Sequence, residues 1–369
     1  MCGTIDFYKK QMKKKRRRQG MKKKFLALML SVVTVIGAPV MTVSAEVEEV
    51  VIPEYSTVDY DVDFQYELDG IDALKETCDQ QGTVEELTYE APAYATNELL
   101  GTDSTIEKTV QVYLPYGYDE SKQYNVLYLL HGTGGNDKYW FETAKGADGS
   151  ENVTSNVLDN MIKKGLCDPV IVVTPNFYSE IMDKDHKISD DAVVEYGKEN
   201  GDDFLKVRND LWTQFFQYEL RNDIMPLVES TYSTYAGKDT SEESMIASRD
   251  HRALAGLSRG AMATTRSGML GNLDEISYFG NYSGVWAMFD KFKDTVAGSE
   301  YKVNYWYNGT GTADFAAENH LEFHNQVMAE MSDTFTDGEN YAMVVKNGGA
   351  QEYGNWIVDL YNSLLVFFK

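Results

Sequence analysis

Three stretches of this chain, NVLYLLH (125–131), PVIVVTP (169–175) and ALAGL (253–257), are short and almost free of polar residues. A half-exposed strand alternates apolar and polar residues. An unbroken apolar run of this length needs cover on both faces, the condition of a central strand in a parallel sheet wrapped by helices. Five further runs read as strands: TVEELTY (83–89), KTVQVYLP (108–115), ISYFGNY (276–282), VNYWYN (303–308) and AMVVK (342–346). Helical periodicity fills the gaps. Residues 152–164 place Val153, Val157 and Met161 at i, i+4, i+8, and residues 205–230 run Leu211, Phe215, Phe216, Leu220, Ile224 and Leu227 along one face. Helices are also expected over 260–269, 315–331 and 353–368. The fold class is therefore α/β, a mostly parallel central sheet with helices on both faces, and its ligand crevice should lie beyond the carboxyl ends of the strands.

The first 82 residues stand outside this alternation. Residues 21–45 have a lysine-rich start at Met21, an apolar run from Phe25 to Ile36 and small residues before Ala45, the layout of a secretory signal peptide. The run is too short for a spanning helix of about 20 residues, so no stable membrane anchor is expected after cleavage. Residues 1–45 are thus read as a basic extension plus signal, 46–82 as an acidic linker or arm, and 83–369 as one catalytic-size domain. Residues 1–45 hold 11 of the 34 basic and 1 of the 58 acidic residues, so the remainder carries 23 against 57, a net charge of −34. Such a surface repels phosphate backbones, which excludes nucleic acid as a partner class. Cys78 and Cys167 could pair in an oxidising compartment, but two cysteines do not make a disulfide framework.

Two motifs carry chemistry. In GLSRG (256–260) a serine stands between glycines after a short strand and before the helix-forming RGAMATTRSGM, the context of a nucleophile elbow at Ser258. In LLHGTGGNDKYW (129–140) a glycine-rich turn follows a buried strand, where backbone N–H groups at Gly132 and Thr133 could join that of Arg259 in holding an oxyanion. A serine hydroxyl needs a neighbouring base, and the chain has five histidines to supply one.

YNVLYLLHGTGG, PVIVVTPNF, ELRNDIMPLVESTY, HRALAGLSRGAM and YNGTGTADFAAEN, in that order, resemble the bacterial feruloyl esterase and acetylxylan esterase group of α/β-hydrolases, the esterase D-like superfamily, over residues 83–369. The resemblance implies a secreted serine esterase that releases acyl groups from plant cell-wall polysaccharide such as xylan, without metal or organic cofactor. It places the nucleophile at Ser258 and the acid of the triad at Asp314, which is also suited to cap the following helix. It places the family's histidine in a late Gly-Gly-x-His segment. Here that segment is NGGAQEYGNW (347–356) and the position holds Gln351. An amide cannot accept the serine proton near neutral pH.

Of the histidines, His131 belongs to the oxyanion turn, His251 precedes its strand at the far edge of the sheet, and His320 and His324 lie on the helix after Asp314. His186 sits in the long polar stretch 176–203, expected to hang over the crevice as a lid or a surface excursion, and is the one candidate for a substitute base. Trp140 and Trp286, on loops expected near the crevice, are candidate stacking surfaces for an aromatic acyl group or a sugar. The alternative to an esterase is a catalytically impaired member that binds carbohydrate or a partner through the same crevice.

Overall fold

The computed structural model describes Tyr55 and residues 58–369 apart from 147 and 148; the expected basic extension and signal peptide lie outside the described residues. The chain divides into Met1–Glu48 and Glu49–Lys369, and the second unit holds all that follows. Eight strands form one sheet: β1 (Thr83–Pro92), β2 (Thr105–Leu114), β3 (Asn125–Leu130), β4 (Val170–Pro175), β5 (Arg252–Leu257), β6 (Tyr278–Tyr282), β7 (Tyr305–Gly311) and β8 (Tyr341–Lys346). Their order is β1-β2-β4-β3-β5-β6-β7-β8. β2 runs antiparallel to both β1 and β4, and the other pairs are parallel.

The apolar runs are covered on both faces, as their sequence requires. β3 sends Val126, Tyr128 and Leu130 into one core with the 208–231 helices, and Leu127 and Leu129 into a second core with Thr154–Lys163 and Tyr353–Leu364. The chain leaves β3 for β4 on one side and returns to β5 on the other, so the topological switch point lies between β3 and β5. In open α/β sheets ligands bind at such a point, and the glycine-rich turn 131–135 and Ser258 follow these two strands.

Three elements differ from expectation. The helix expected over 205–230 is Arg208–Glu219, a wider turn at Leu220–Ile224, and Met225–Thr231. Pro226 cannot donate to an i−4 carbonyl, and the wider turn accommodates it without ending the helix. The stretch 176–203 contains a helix, Asp190–Glu199, capped by Ser189 accepting from the Ala192 N–H, with Asp190 and Asp191 in its first turn. Its Val193 packs with Ala95, Ile188, Leu205, Leu211 and Phe215 in a small third core. The segment read as a linker or arm is anchored from residue 58 onward. The Asn347 N–H donates to the Tyr66 carbonyl, Gln65 and Asn362 exchange backbone–amide bonds at 2.8 and 3.0 Å, and Tyr60 donates to Asp337. This covers the open edge at β8. Cys78 and Cys167 are both buried and unpaired. No helix among the described residues is long and apolar enough to cross a membrane.

Candidate active site

Ser258 has φ 53° and ψ −116°, a conformation a residue with a side chain holds only when its surroundings impose it. Its N–H donates to the Tyr282 carbonyl at the end of β6, and the helix beginning at Arg259 starts at once. The return is so tight that a Cβ on Gly260 would lie 2.3 Å from the His131 carbonyl oxygen, which explains the second glycine of GLSRG. The serine is thereby thrust beyond the sheet, with free helix N–H groups behind it.

The glycine-rich turn after β3 presses against this elbow: a Cβ on Gly132 would stand 3.3 Å from that of Ser258. His131 braces the turn, its Nδ1 donating to the Gly132 carbonyl at 2.7 Å while its ring stacks on Phe177. Burial holds this imidazole neutral, its pKa lowered to about 4. Tyr178 closes the turn from the other side, its hydroxyl accepting from the Gly134 N–H and donating to the Gly132 carbonyl. Arg259 contributes a side chain as well as an N–H. Its Nε donates to Thr133 Oγ1 at 3.1 Å and its Nη1 to Asp210, whose second oxygen accepts from the N–H groups of Lys206 and Val207. Asp210 and this bridge were invisible in the sequence. Asp210→Ala should free the guanidinium and loosen both the turn after β3 and the start of the helix at Arg259. A displacement of about 1 Å there is enough to lower kcat/KM by roughly 10- to 100-fold; unchanged ester hydrolysis with unchanged folding would sink this role.

Asp314 follows β7 and is fully buried. Its carboxylate accepts from the Ala316 N–H at 2.8 Å, from Thr310 Oγ1 at 3.2 Å and from the Ser283 hydroxyl, which in turn accepts from the Trp356 indole. Burial raises its pKa, and these donors and the Lys346 charge oppose the rise. The segment bearing Gln351 is zipped onto the acid's loop. Ala313 N–H donates to the Gly349 carbonyl, Thr312 N–H to Lys346, and Gly348 N–H to Thr312 Oγ1. A Cβ on Gly311 would collide with Gly349 at 2.2 Å. Gln351 follows two residues after Gly349 on this segment. Its Oε1 and Nε2 are buried with no hydrogen-bond partner among the described residues, and the same holds for both amide atoms of Asn355.

No histidine among the described residues bonds Ser258 or Asp314. His320 donates through Nε2 to Asn308 and accepts from the Gly284 N–H, its pKa lowered to about 3 by burial. His324 pairs with the Tyr341 hydroxyl, and His251 with Asn125 under the Tyr235 ring at the start of β5. His186 turns to Asp183 at 3.0 Å, within its own loop.

Trp140 is not the exposed stacking surface expected of it. It is fully buried, its indole donating to the Leu130 carbonyl, with Tyr282 and Tyr353 in edge-type contact with it, so it presents no surface to a ligand. The wide helical turn Tyr139–Thr143 rotates it beneath the end of β3. Trp286 is partly exposed, at φ 41°, folded over Gly284 and close in sequence to Ser283.

Residues 104–266 match the family model described as "Putative esterase". The chain is 34% identical over 213 residues to endo-1,4-beta-xylanase Y of Acetivibrio thermocellus, covering 58% of this chain and 15% of that protein. It is 29% identical over 209 residues to an endo-1,4-beta-xylanase/feruloyl esterase of Xylanibacter ruminicola, covering 55% and 22%. The chain thus spans less than a quarter of the length of either relative. Among solved structures, it is similar to a feruloyl esterase module from Clostridium thermocellum complexed with sinapinate, at 26% identity and TM-score 0.64, covering 85% of this chain and 96% of that one.

Proposed function

The chain belongs to the feruloyl esterase and acetylxylan esterase group of the α/β-hydrolases, and from that premise we propose that it is a secreted serine carboxylesterase releasing feruloyl or acetyl groups from xylan. The observation that carries this reading is the strained Ser258, held between the oxyanion turn on β3 and the acid loop on β7. Ser258 Oγ attacks the ester carbonyl while the N–H groups of Arg259 and of the 132–133 turn hold the developing oxyanion. The bond to the sugar oxygen breaks, the serine proton ends on the departing hydroxyl, and water then cleaves the acyl-serine to restore Ser258 and release the carboxylic acid. Gln351 orients groups in this sequence but carries no proton, so solvent must relay it and turnover is slow. Trp286 offers the acyl group a flat face. Export through residues 21–45 brings the chain to polysaccharide outside the cell, and the net charge of −34 beyond residue 45 disfavours nucleic acid.

A second reading, a carbohydrate-binding member with little or no catalysis, is favoured by Gln351 itself. Hydrolysis of methyl ferulate and an aryl acetate separates the two. Positioning and the oxyanion hole alone should leave roughly 10³- to 10⁴-fold acceleration over water; turnover through an acyl-enzyme requires the native chain to be faster than Ser258→Ala, and equal rates in the two would remove the serine from the mechanism. Background rates in the native chain would leave the second reading standing.

A further inference from the structure

We propose that a groove on the β2–β4 side of the serine binds a neutral sugar residue of the chain bearing the ester, an inference that rests on the reading of this site as a polysaccharide esterase. The groove is an open depression of about 570 Å³, within the size range of small-ligand sites, and its walls include Thr105, Glu107, Lys108, Asp137, Tyr178 and Met182. β2 runs antiparallel to β4, with Val110 opposite Pro175, so the start of β2 lies at the carboxyl end of β4 and on the same rim as Ser258. Strands are spaced about 4.8 Å apart. Two to three spacings, from β5 across β3 to β4 and β2, put the groove roughly 10 to 15 Å from the serine. Asp314 and Gln351 lie the other way, beyond β7 and β8. An ester held at the oxyanion turn can therefore extend one arm over β6 to β8 and the other into this groove. Tyr178 joins the two, since it lines the groove and its hydroxyl is bonded to Gly132 and Gly134.

The chemistry of the walls selects the occupant. Lys108, the cation that lines the groove, is committed to Glu219 and to the carbonyls of Asn176 and Tyr178. What faces a ligand is carboxylate and hydroxyl: Glu107, Thr105, and Asp137, held by Thr109 Oγ1 and Gln111 Nε2. These accept hydrogen bonds from a polyhydroxylated ligand and repel an anionic one, which excludes phosphates and uronic acids. Met182, 57% exposed, and the Tyr178 ring supply apolar surface for the C–H face of a pyranose.

The test uses the Ser258→Ala protein titrated by calorimetry with unesterified xylohexaose, alone and combined with Thr109→Trp, which fills the groove, or with the surface change Glu107→Lys. Xylohexaose affinity should fall about tenfold, the equivalent of one good contact, in both combinations, while ferulate binds each protein equally. In the background with Ser258 intact, methyl ferulate hydrolysis should not change. Xylohexaose that binds all three proteins alike, or none of them, would overturn the proposal even where methyl ferulate is hydrolysed. Loss of xylohexaose binding in the two variants supports it even where no ester is turned over, so its fate is separable from that of the esterase reading. Should Thr109→Trp not fold, Glu107→Lys, on an exposed strand position, decides alone.

Discussion

Gln351→His should raise kcat/KM for methyl ferulate by about 10²- to 10⁴-fold, the usual contribution of a positioned general base. The residue it replaces lies on a segment fastened to residues 312 and 313 by two backbone–backbone bonds and one to the Thr312 hydroxyl. Its amide atoms are buried and bonded to nothing among the described residues, so the substitution breaks no hydrogen bond and fills space of similar length. In the triad arrangement that the resemblance implies, Asp314 would orient the new imidazole through Nδ1–H, leaving Nε2 for the serine proton. The sign of the pH dependence follows. Only the neutral imidazole is a base, so the variant's activity should rise with pH through a value at or above the ordinary histidine pKa of about 6.5, because the buried carboxylate favours the cation. The native chain should lack that limb. Adding Ser258→Ala to the variant must abolish the gain. A variant that folds but is no faster than the native chain would mean that Ser258 and position 351 do not face one another, and the site assignment would fail with it.

What the sequence disclosed of this site was what is local in the chain. The elbow at Ser258 and the turn after β3 each fit within a dozen residues, and the glycines there are demanded by contacts as close as 2.3 Å. Periodicity found every strand because the central ones are buried on both faces. The bridge from Asp210 through Arg259 to Thr133 spans 49 and then 126 positions, and no spacing rule could join them. The docking of Gln65 on Asn362, 297 positions away, was hidden for the same reason. Trp140 was misplaced because nearness in sequence to a functional turn says nothing about side-chain direction. The helix Asp190–Glu199 did leave a signal: SDD at 189–191 is a cap followed by an acidic first turn. It carries no apolar period, because within it Val193 and Gly197 alone are buried.

The buried pair Lys346–Asp359 should be the point at which this site is easiest to unmake. Both residues are fully buried; Lys346 ends β8, Asp359 lies in the helix Tyr353–Leu364, and between them runs the segment bearing Gln351. Lys346 also donates to the Thr310 carbonyl at 3.0 Å, and a Cβ on Gly309 would collide with the Asp359 carboxylate, so β7 is shaped around the pair. Lys346→Met leaves a carboxylate uncompensated, which costs about 3 to 5 kcal/mol at neutral pH. The penalty must depend on pH with a definite sign. Burial already pushes Asp359 up to about 6, against the pull of Lys346; without that pull its folded pKa rises further above the unfolded value of about 3.9. A raised carboxyl pKa means that the folded state holds its proton more tightly, so the destabilisation is absent below about pH 4 and grows as pH climbs through the folded pKa. At pH 4 the native chain instead carries a buried ammonium beside a protonated acid, and the difference between the two proteins should vanish or reverse. Urea midpoints at pH 4, 6 and 8 check this, and an equal loss at all three would show that Lys346 acts by packing rather than by charge. Lys346→Met/Asp359→Leu, which removes both charges, should recover much of the stability at pH 8. Because the pair fixes both ends of residues 347–352, the activation expected of Gln351→His should be largely lost when Lys346→Met is combined with it, under conditions where the protein remains folded.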